Sequence, residues 1–157
     1  MSDFALLFTL EHKRRELLEA CLGLSESDLK TRPSAHEWSA LEVLAHLPAA
    51  DRHYLSQVGV ILADPQHMFE YFDDDSWKRG NSSVNSRLAK DVLYEVAAAH
   101  DEVMHALQNL DDEELKKTSR HPRRATFNLH DLFERYIAHD ENHVQQIREI
   151  RAAISGS

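Results

Sequence analysis

A chain of 157 residues is long enough to bury a hydrophobic core without disulfides, and it fits one domain spanning residues 1–157. Its 42% of hydrophobic and 29% of charged residues are ordinary for a soluble globular protein. A net charge of −9, from 27 acidic and 18 basic residues, repels phosphate backbones and makes nucleic acid an unexpected partner.

The amino-terminal stretch carries its charges after a short apolar segment, which is the reverse of a secretory signal. No apolar run approaches the roughly 18 residues that suggest a membrane span. We therefore expect a cytoplasmic protein without membrane association. The single cysteine, Cys21, has no partner for an internal disulfide.

The sequence predicts an all-α fold, a four-helix bundle whose long linkers carry short helical turns. Only 4 glycines and 4 prolines mark turns, which favours long helices. Apolar residues recur with helical spacing in four segments, at about 3–22, 39–63, 81–110 and 129–154.

Local signals define several ends of these helices. Gly23 stops the first, Ser39 and Glu42 form a capping box at the start of the second, and Asn128 caps the fourth. The first helix is expected to bury a stripe formed by Phe4, Leu7, Phe8, Leu18 and Leu22. The third is expected to bury Leu88, Val92, Val96, Val103 and Leu107.

Two histidines lie on the core-facing side of the fourth helix. His139 and His143 are four residues apart, so their side chains share a face one turn apart and could meet a single metal ion. They continue a stripe that contains Leu132, Tyr136 and Ile150. Two hydrogen-bonded core histidines are the alternative for this pair.

A third histidine favours a metal site over hydrogen-bonded core histidines. His46 lies in an almost wholly apolar run of the second helix, where an imidazole without a partner costs roughly 1–3 kcal/mol. A shared ion would satisfy His46, His139 and His143 together. Three neutral nitrogen ligands suit zinc or nickel and leave a coordination position open for water or substrate.

Two motifs resemble those of the DinB/YfiT-like superfamily of metalloenzymes. Trp38-Ser39 followed by His46-Leu47 resembles its first motif, and the run from His139 to Gln146 resembles its second, His-x-x-His-His-x-x-Gln. Asn142 stands where that family often has a further histidine. The resemblance spans essentially the whole chain.

The resemblance implies metal ligation by His46, His139 and His143, and a homodimer. Related proteins include thiol-dependent S-transferases and an isomerase, which implies a low-molecular-weight thiol as cosubstrate and a small-molecule substrate. A metal-dependent hydrolase and a non-catalytic metal-binding module are the alternatives. A patch of Ile61, Leu62, Phe69, Tyr71 and Phe72 is predicted to be the dimer surface.

Other polar residues have two interpretations each. Asp51 could hold a ligand imidazole or a bound water, or form an ion pair. Gln146 could hydrogen-bond near the metal or be an ordinary polar residue of the helix seam. Three arginines, Arg120, Arg123 and Arg124, could meet a substrate carboxylate or be solvated in their loop.

Overall fold

The computed structural model of the chain describes residues 3–156, and its regular secondary structure there is helical. Numbered in chain order, the helices are α1 (Phe4–Glu19), α2 (Glu26–Lys30), α3 (Ala40–Ala63), α4 (Asp74–Gly80), α5 (Ala89–Gln108), α6 (Asp112–Leu115) and α7 (Leu129–Ser155). A single 3₁₀ turn, 84–86, precedes α5. The four long helices form the predicted bundle, and the short ones lie in the linkers.

Capping explains where α3 and α7 begin. The Ser39 hydroxyl accepts from the backbone N–H of Glu42, whose carboxylate accepts from the N–H of Ser39. Asn128 and Asp131 form the same reciprocal pair at α7. Gly23, with φ of 86°, follows α1 in the left-handed conformation that favours glycine.

Helix α5 begins later than predicted, at Ala89 rather than near residue 81. The Ser86 hydroxyl donates to the carbonyl of Ser83, a local bond that competes with helix formation. Leu88 is consequently the N-cap and is 51% exposed, so its predicted place in the core was wrong. The other four residues of that stripe are buried.

The core forms two hydrophobic clusters, one at each end of the bundle. One includes Leu10, Tyr54 and Phe133, and the other includes Leu44 and Ile147. Helix α3 packs against α5 and α7, and α1 packs against α7. Along α7 the two predicted ligand histidines lie between the clusters.

The predicted stripe of α1 was wrong. Its buried residues are Leu6, Leu10, Arg14 and Leu17, whereas Phe4 and Phe8 are 81% and 76% exposed. The buried face of α1 contains an arginine, which interrupts its apolar pattern. The apolar residues outside that face therefore looked more like a core-facing stripe.

The predicted dimer surface is mostly covered within the chain. Ile61 and Phe69 belong to the core, and Leu62 and Phe72 pack against it. Of the five residues only Tyr71 is exposed, at 38%. The homodimer stays a prediction, without support from these residues. Among the described helices, none is both long and apolar enough to cross a membrane.

Candidate metal centre

His46 is fully buried on α3, and one of its ring nitrogens has no hydrogen-bond partner in the part of the chain that the structure describes. Its Nδ1 donates to the carbonyl of Val43 one turn earlier. That bond assigns the proton to Nδ1 and leaves a lone pair on Nε2. A buried lone pair without a partner is costly, so Nε2 requires a cation or a donor.

On α7 the two predicted histidines meet at the same place. The Nε2 atoms of His139 and His143 are 3.1 Å apart. The Nδ1 of His143 lies 2.6 Å from Oε1 of Gln146 and donates to it, which leaves the lone pair of His143 on Nε2 as well. The predicted role of Gln146 near the cluster therefore has a geometric basis. The ring of His46 lies 4.4 Å from that of His143 and 5.3 Å from that of His139, centroid to centroid.

Asp74, the first residue of α4, supplies a carboxylate that sequence reasoning missed. Its Oδ1 lies 3.5 Å from Nε2 of both His46 and His139, and its Oδ2 lies 3.6 Å from Nε2 of His143. The residue lies within an Asp73-Asp74-Asp75 run in a linker. No sequence spacing relates that run to the histidines, and only the fold selects the middle residue.

The four ligand atoms fit one ion. They all lie within 4.8 Å of one another. Atoms bonded to a tetrahedral ion at about 2.1 Å are separated by about 3.4 Å, close to the spacings observed here. The residues present therefore fit a single divalent cation with three imidazole ligands and one carboxylate.

The surroundings of the cluster favour a neutral His46 beside an ionised Asp74. Burial, with the neighbouring imidazoles of His143 and His139, holds the pKa of His46 well below its usual value. Burial opposes ionisation of Asp74, but the imidazoles of His139, His143 and His46 around it outweigh that effect and hold the pKa of the carboxyl far below its ordinary value. Both are the protonation states that metal ligation needs.

Aromatic rings cover one side of the cluster. Trp38 meets the ring of His46 edge-on at 5.1 Å between centroids, and Trp77 and Phe72 lie at 6.0 and 6.1 Å. The Asp74 side chain is 35% exposed. Water and small molecules can therefore approach from the Asp74 side.

The remaining predicted residues lie away from the cluster. Both oxygens of Asp51 accept hydrogen bonds from Arg14, and one also accepts from Tyr136, so Asp51 has the ion-pair role. Arg124 lies 3.4 Å from Asp131 in an ion pair. Cys21 follows α1, where burial raises the pKa of its thiol to about 11.

The fold and the cluster define an all-helical bundle with a candidate metal site among its long helices. Residues 9–147 match the model of the DinB superfamily, and the chain belongs to that superfamily, as its two motifs predicted. No protein with curated function matches the sequence.

Two solved structures share the fold. YfiT from Bacillus subtilis, described as "a probable metal-dependent hydrolase with an unusual four-helix bundle topology", is 18% identical with a TM-score of 0.78, over 96% of this chain and 86% of that chain. A DinB-like protein from Bacillus subtilis, YjoA, is 14% identical with a TM-score of 0.64, over 96% of this chain and 92% of that chain.

Proposed function

We propose that this protein is a metal-dependent enzyme that binds one divalent ion through three histidines and a carboxylate: His46, His139, His143 and Asp74. The observation that carries the proposal is the buried Nε2 of His46, which has a lone pair and no hydrogen-bond partner among residues 3–156. A cation satisfies that atom and the facing imidazoles of α7 together. The description of YfiT as metal-dependent supports the same conclusion.

Zinc and nickel are the proposed ions. Imidazole nitrogens suit both, and a carboxylate oxygen is compatible with either. The spacing between His139 and His143 Nε2, 3.1 Å, is near the edge of a tetrahedron around zinc. Neighbouring ligands are about 3.4 Å apart in a tetrahedral site and about 3.0 Å apart in an octahedral one, so this spacing is compatible with either ion.

Hydrolysis of a small molecule is the reaction that this cluster supports best. A divalent ion held there would polarise a substrate carbonyl, or lower the pKa of a water molecule, at a fifth coordination position beyond the four protein ligands. Asp74 is ionised and partly exposed, so its oxygen that does not bind the ion can accept the proton that the attacking water loses. Its carboxylate also reduces the charge of an occupied centre from 2+ to 1+, which weakens the attraction for a thiolate.

A thiol-dependent transferase or isomerase is the second candidate. It is favoured by the position of Asp74 on α4, a short helix that has no buried residue. An external thiolate could replace such a weakly held carboxylate. Cys21 lies away from the cluster and has a raised pKa, so the thiol would be a low-molecular-weight one such as bacillithiol, mycothiol or glutathione.

Metal content tests the proposal directly. Untagged protein incubated with zinc or nickel and then dialysed should retain up to one ion per chain by elemental analysis. His46→Ala and His143→Ala should each abolish retention. His105→Ala, an exposed histidine of α5, is the matched control and should retain the wild-type amount. Equal retention by all four proteins would sink the assignment of the ligands.

Spectroscopy of cobalt-loaded protein separates the reaction types. If hydrolysis is correct, adding bacillithiol, mycothiol or glutathione should leave the visible spectrum unchanged. A thiolate-to-metal charge-transfer band that is lost in His46→Ala would instead support the transferase. An ion that exchanges neither water nor thiol would indicate a non-catalytic metal-binding module.

A further inference from the structure

Arg135 is a cation beside the candidate metal centre, and it has no acidic partner among the described residues. It lies four residues before His139, so the two side chains share a face of α7 about one turn apart. Its Nε is buried and has no hydrogen-bond partner among the described residues. No carboxylate in the part of the chain that the structure describes lies within ion-pairing distance of its guanidinium.

Acidic neighbours of Arg135 along α7 are occupied elsewhere. Asp131 lies 3.4 Å from Arg124, and Glu134 lies 3.4 Å from His130. An uncompensated guanidinium is unexpected on a protein with a net charge of −9, where acidic partners are abundant. Its charge is therefore free to act on a ligand.

Two tyrosines fix the guanidinium next to the cluster. It lies 5.3 Å from the centre of the Tyr71 ring and beside the hydroxyl of Tyr54. The Tyr54 ring in turn meets His139 at 6.2 Å between centroids. The Tyr54 hydroxyl can donate a hydrogen bond to an anion.

We propose that Arg135 and Tyr54 form an anion-binding subsite that recognises a carboxylate of the substrate. The planar guanidinium matches the two oxygens of a carboxylate, and the tyrosine hydroxyl adds a donor. Recognition of the carboxylate stands on these residues alone. Orientation of the other end of the substrate towards an ion rests on the proposed metal-dependent function.

The spacing limits the size of that substrate. About 6 Å along the helix axis separates Arg135 from His139. The carboxylate and the bond to be cleaved must therefore be only a few atoms apart. A short-chain carboxylic acid that bears an ester or amide a few bonds away is the class that fits. An occupied centre and Arg135 together carry two positive charges, which favours a small anionic molecule.

Calorimetry with simple anions tests the subsite without requiring activity. Succinate should bind nickel-loaded protein more tightly than butyrate, because its second carboxylate reaches the ion. Arg135→Met should lower the succinate affinity about tenfold or more through the lost charge-assisted bonds. Arg124→Met removes the same charge from the neighbouring loop and should change the affinity less than about twofold.

Arg135→Lys is a control for misfolding, since it keeps the positive charge but lacks the planar guanidinium group. It should bind succinate more weakly than wild type while its thermal unfolding and its nickel stoichiometry stay unchanged. The same titrations on metal-free protein keep the test independent of the ion. There too, binding should be weaker in Arg135→Met than in Arg124→Met.

Three results would overturn the subsite. In the first, wild type and Arg135→Met bind succinate with equal affinity. In the second, Arg135→Met and Arg124→Met lose the same amount of succinate affinity. In the third, the protein binds inorganic phosphate but not succinate. Loss of nickel binding in wild type would contradict the metal-dependent function. In that case an Arg135-dependent signal in metal-free protein would still support the subsite.

Discussion

At His143 a single hydrogen bond decides which ring nitrogen faces the other ligands. Gln146, one turn later on α7, accepts from Nδ1 and so keeps the lone pair on Nε2. For His46 the corresponding acceptor is the backbone carbonyl of Val43, which no substitution can remove. Gln146 is therefore the point where the orientation of a ligand can be tested by mutation.

Gln146→Leu should weaken zinc binding by about 10–100-fold, because the imidazole of His143 loses the acceptor that fixes its tautomer and ring orientation. Competition with a chromogenic chelator measures the affinity. Gln145→Leu is the matched control, since Gln145 is exposed and lies 3.2 Å from Glu149 on the outer face. Similar affinities for the two variants would show that Gln146 does not orient the ligand.

Cys21 should be an unreactive thiol. With its pKa at about 11, the thiolate fraction at pH 8 is small. Alkylation by iodoacetamide should run roughly two orders of magnitude slower than that of free cysteine and accelerate about tenfold per pH unit up to that pKa. Unfolding in urea should restore the ordinary rate. Fast alkylation of the native protein at pH 8 would contradict the buried environment.

The same shift has a consequence for stability. The pKa of Cys21 is higher in the folded than in the unfolded chain, so the unfolded thiol ionises first as the pH rises. Its contribution to the free energy of unfolding is present below the unfolded pKa and is lost as the pH rises towards the folded value.

Among the elements, α4 is the short helix that supplies a carboxylate to the candidate metal centre. In it Asp74 reaches the histidines, Trp77 packs on Trp38 at 5.9 Å between centroids, and Lys78 lies 5.5 Å from the centre of a Trp38 ring. The helix has seven residues and none is buried. A bound ion should therefore hold α4 in place through Asp74.

Trypsin can report this coupling because α4 contains Lys78 and Arg79. Saturating zinc should slow cleavage at these two bonds roughly tenfold or more, since the ligand set is complete only while α4 is packed against the histidines. Asp74→Asn should lose most of that protection, whereas Asp75→Asn, an exposed neighbour, should retain it. Equal zinc protection in the two variants would exclude a role of Asp74 in holding the helix.

Sequence patterns predicted elements well where local chemistry determines them. The capping residues Ser39 and Asn128 located the starts of α3 and α7 to the residue, because each cap forms hydrogen bonds within its own four residues. The three histidines were predictable for a related reason, since they occupy core-facing positions on those same long helices. Metal binding by them is still to be measured.

The failures involve contacts between distant parts of the chain. Asp74 comes from a linker placed by packing of Trp77 on Trp38, which no local pattern encodes. The buried face of α1 was missed because Arg14 occupies a core position, and a charge there is stable only with partners on other helices. The residues predicted to form an exposed patch for a dimer are mostly covered, because the 64–73 linker packs onto the core.

Across the whole molecule, a polar layer separates the two hydrophobic clusters. Arg14 lies between Leu10 and Leu17 on α1, and its guanidinium donates to Asp51 on α3 and to Asp140 on α7. Asp140 directly follows a proposed ligand, His139. The layer therefore joins three long helices at the level of the candidate metal centre.

Within that polar layer, each guanidinium nitrogen of Arg14 and the hydroxyl of Tyr136 donate hydrogen bonds to buried acceptors. Arg14 Nε lies 2.9 Å from Asp140, and its two terminal nitrogens lie 3.1 and 2.8 Å from the oxygens of Asp51. The hydroxyl of Tyr136 accepts from Arg14 at 2.7 Å and donates to Asp51 at 2.8 Å. Burial opposes the charge of Arg14, but the two carboxylates outweigh it and hold its pKa well above the usual value.

Removing Arg14 should therefore destabilise the whole bundle. Arg14→Met leaves two buried carboxylates, Asp51 and Asp140, without a counter-ion, a loss of about 3–5 kcal/mol in the free energy of unfolding. For a domain of this size each kcal/mol lowers Tm by about 2–4 °C, so calorimetry should show a fall of roughly 6–20 °C. Arg15→Met changes the exposed neighbour, which pairs with Glu11 at 3.4 Å, and should cost less than about 1 kcal/mol. If the two variants unfold at the same temperature, the buried layer does not hold the helices together.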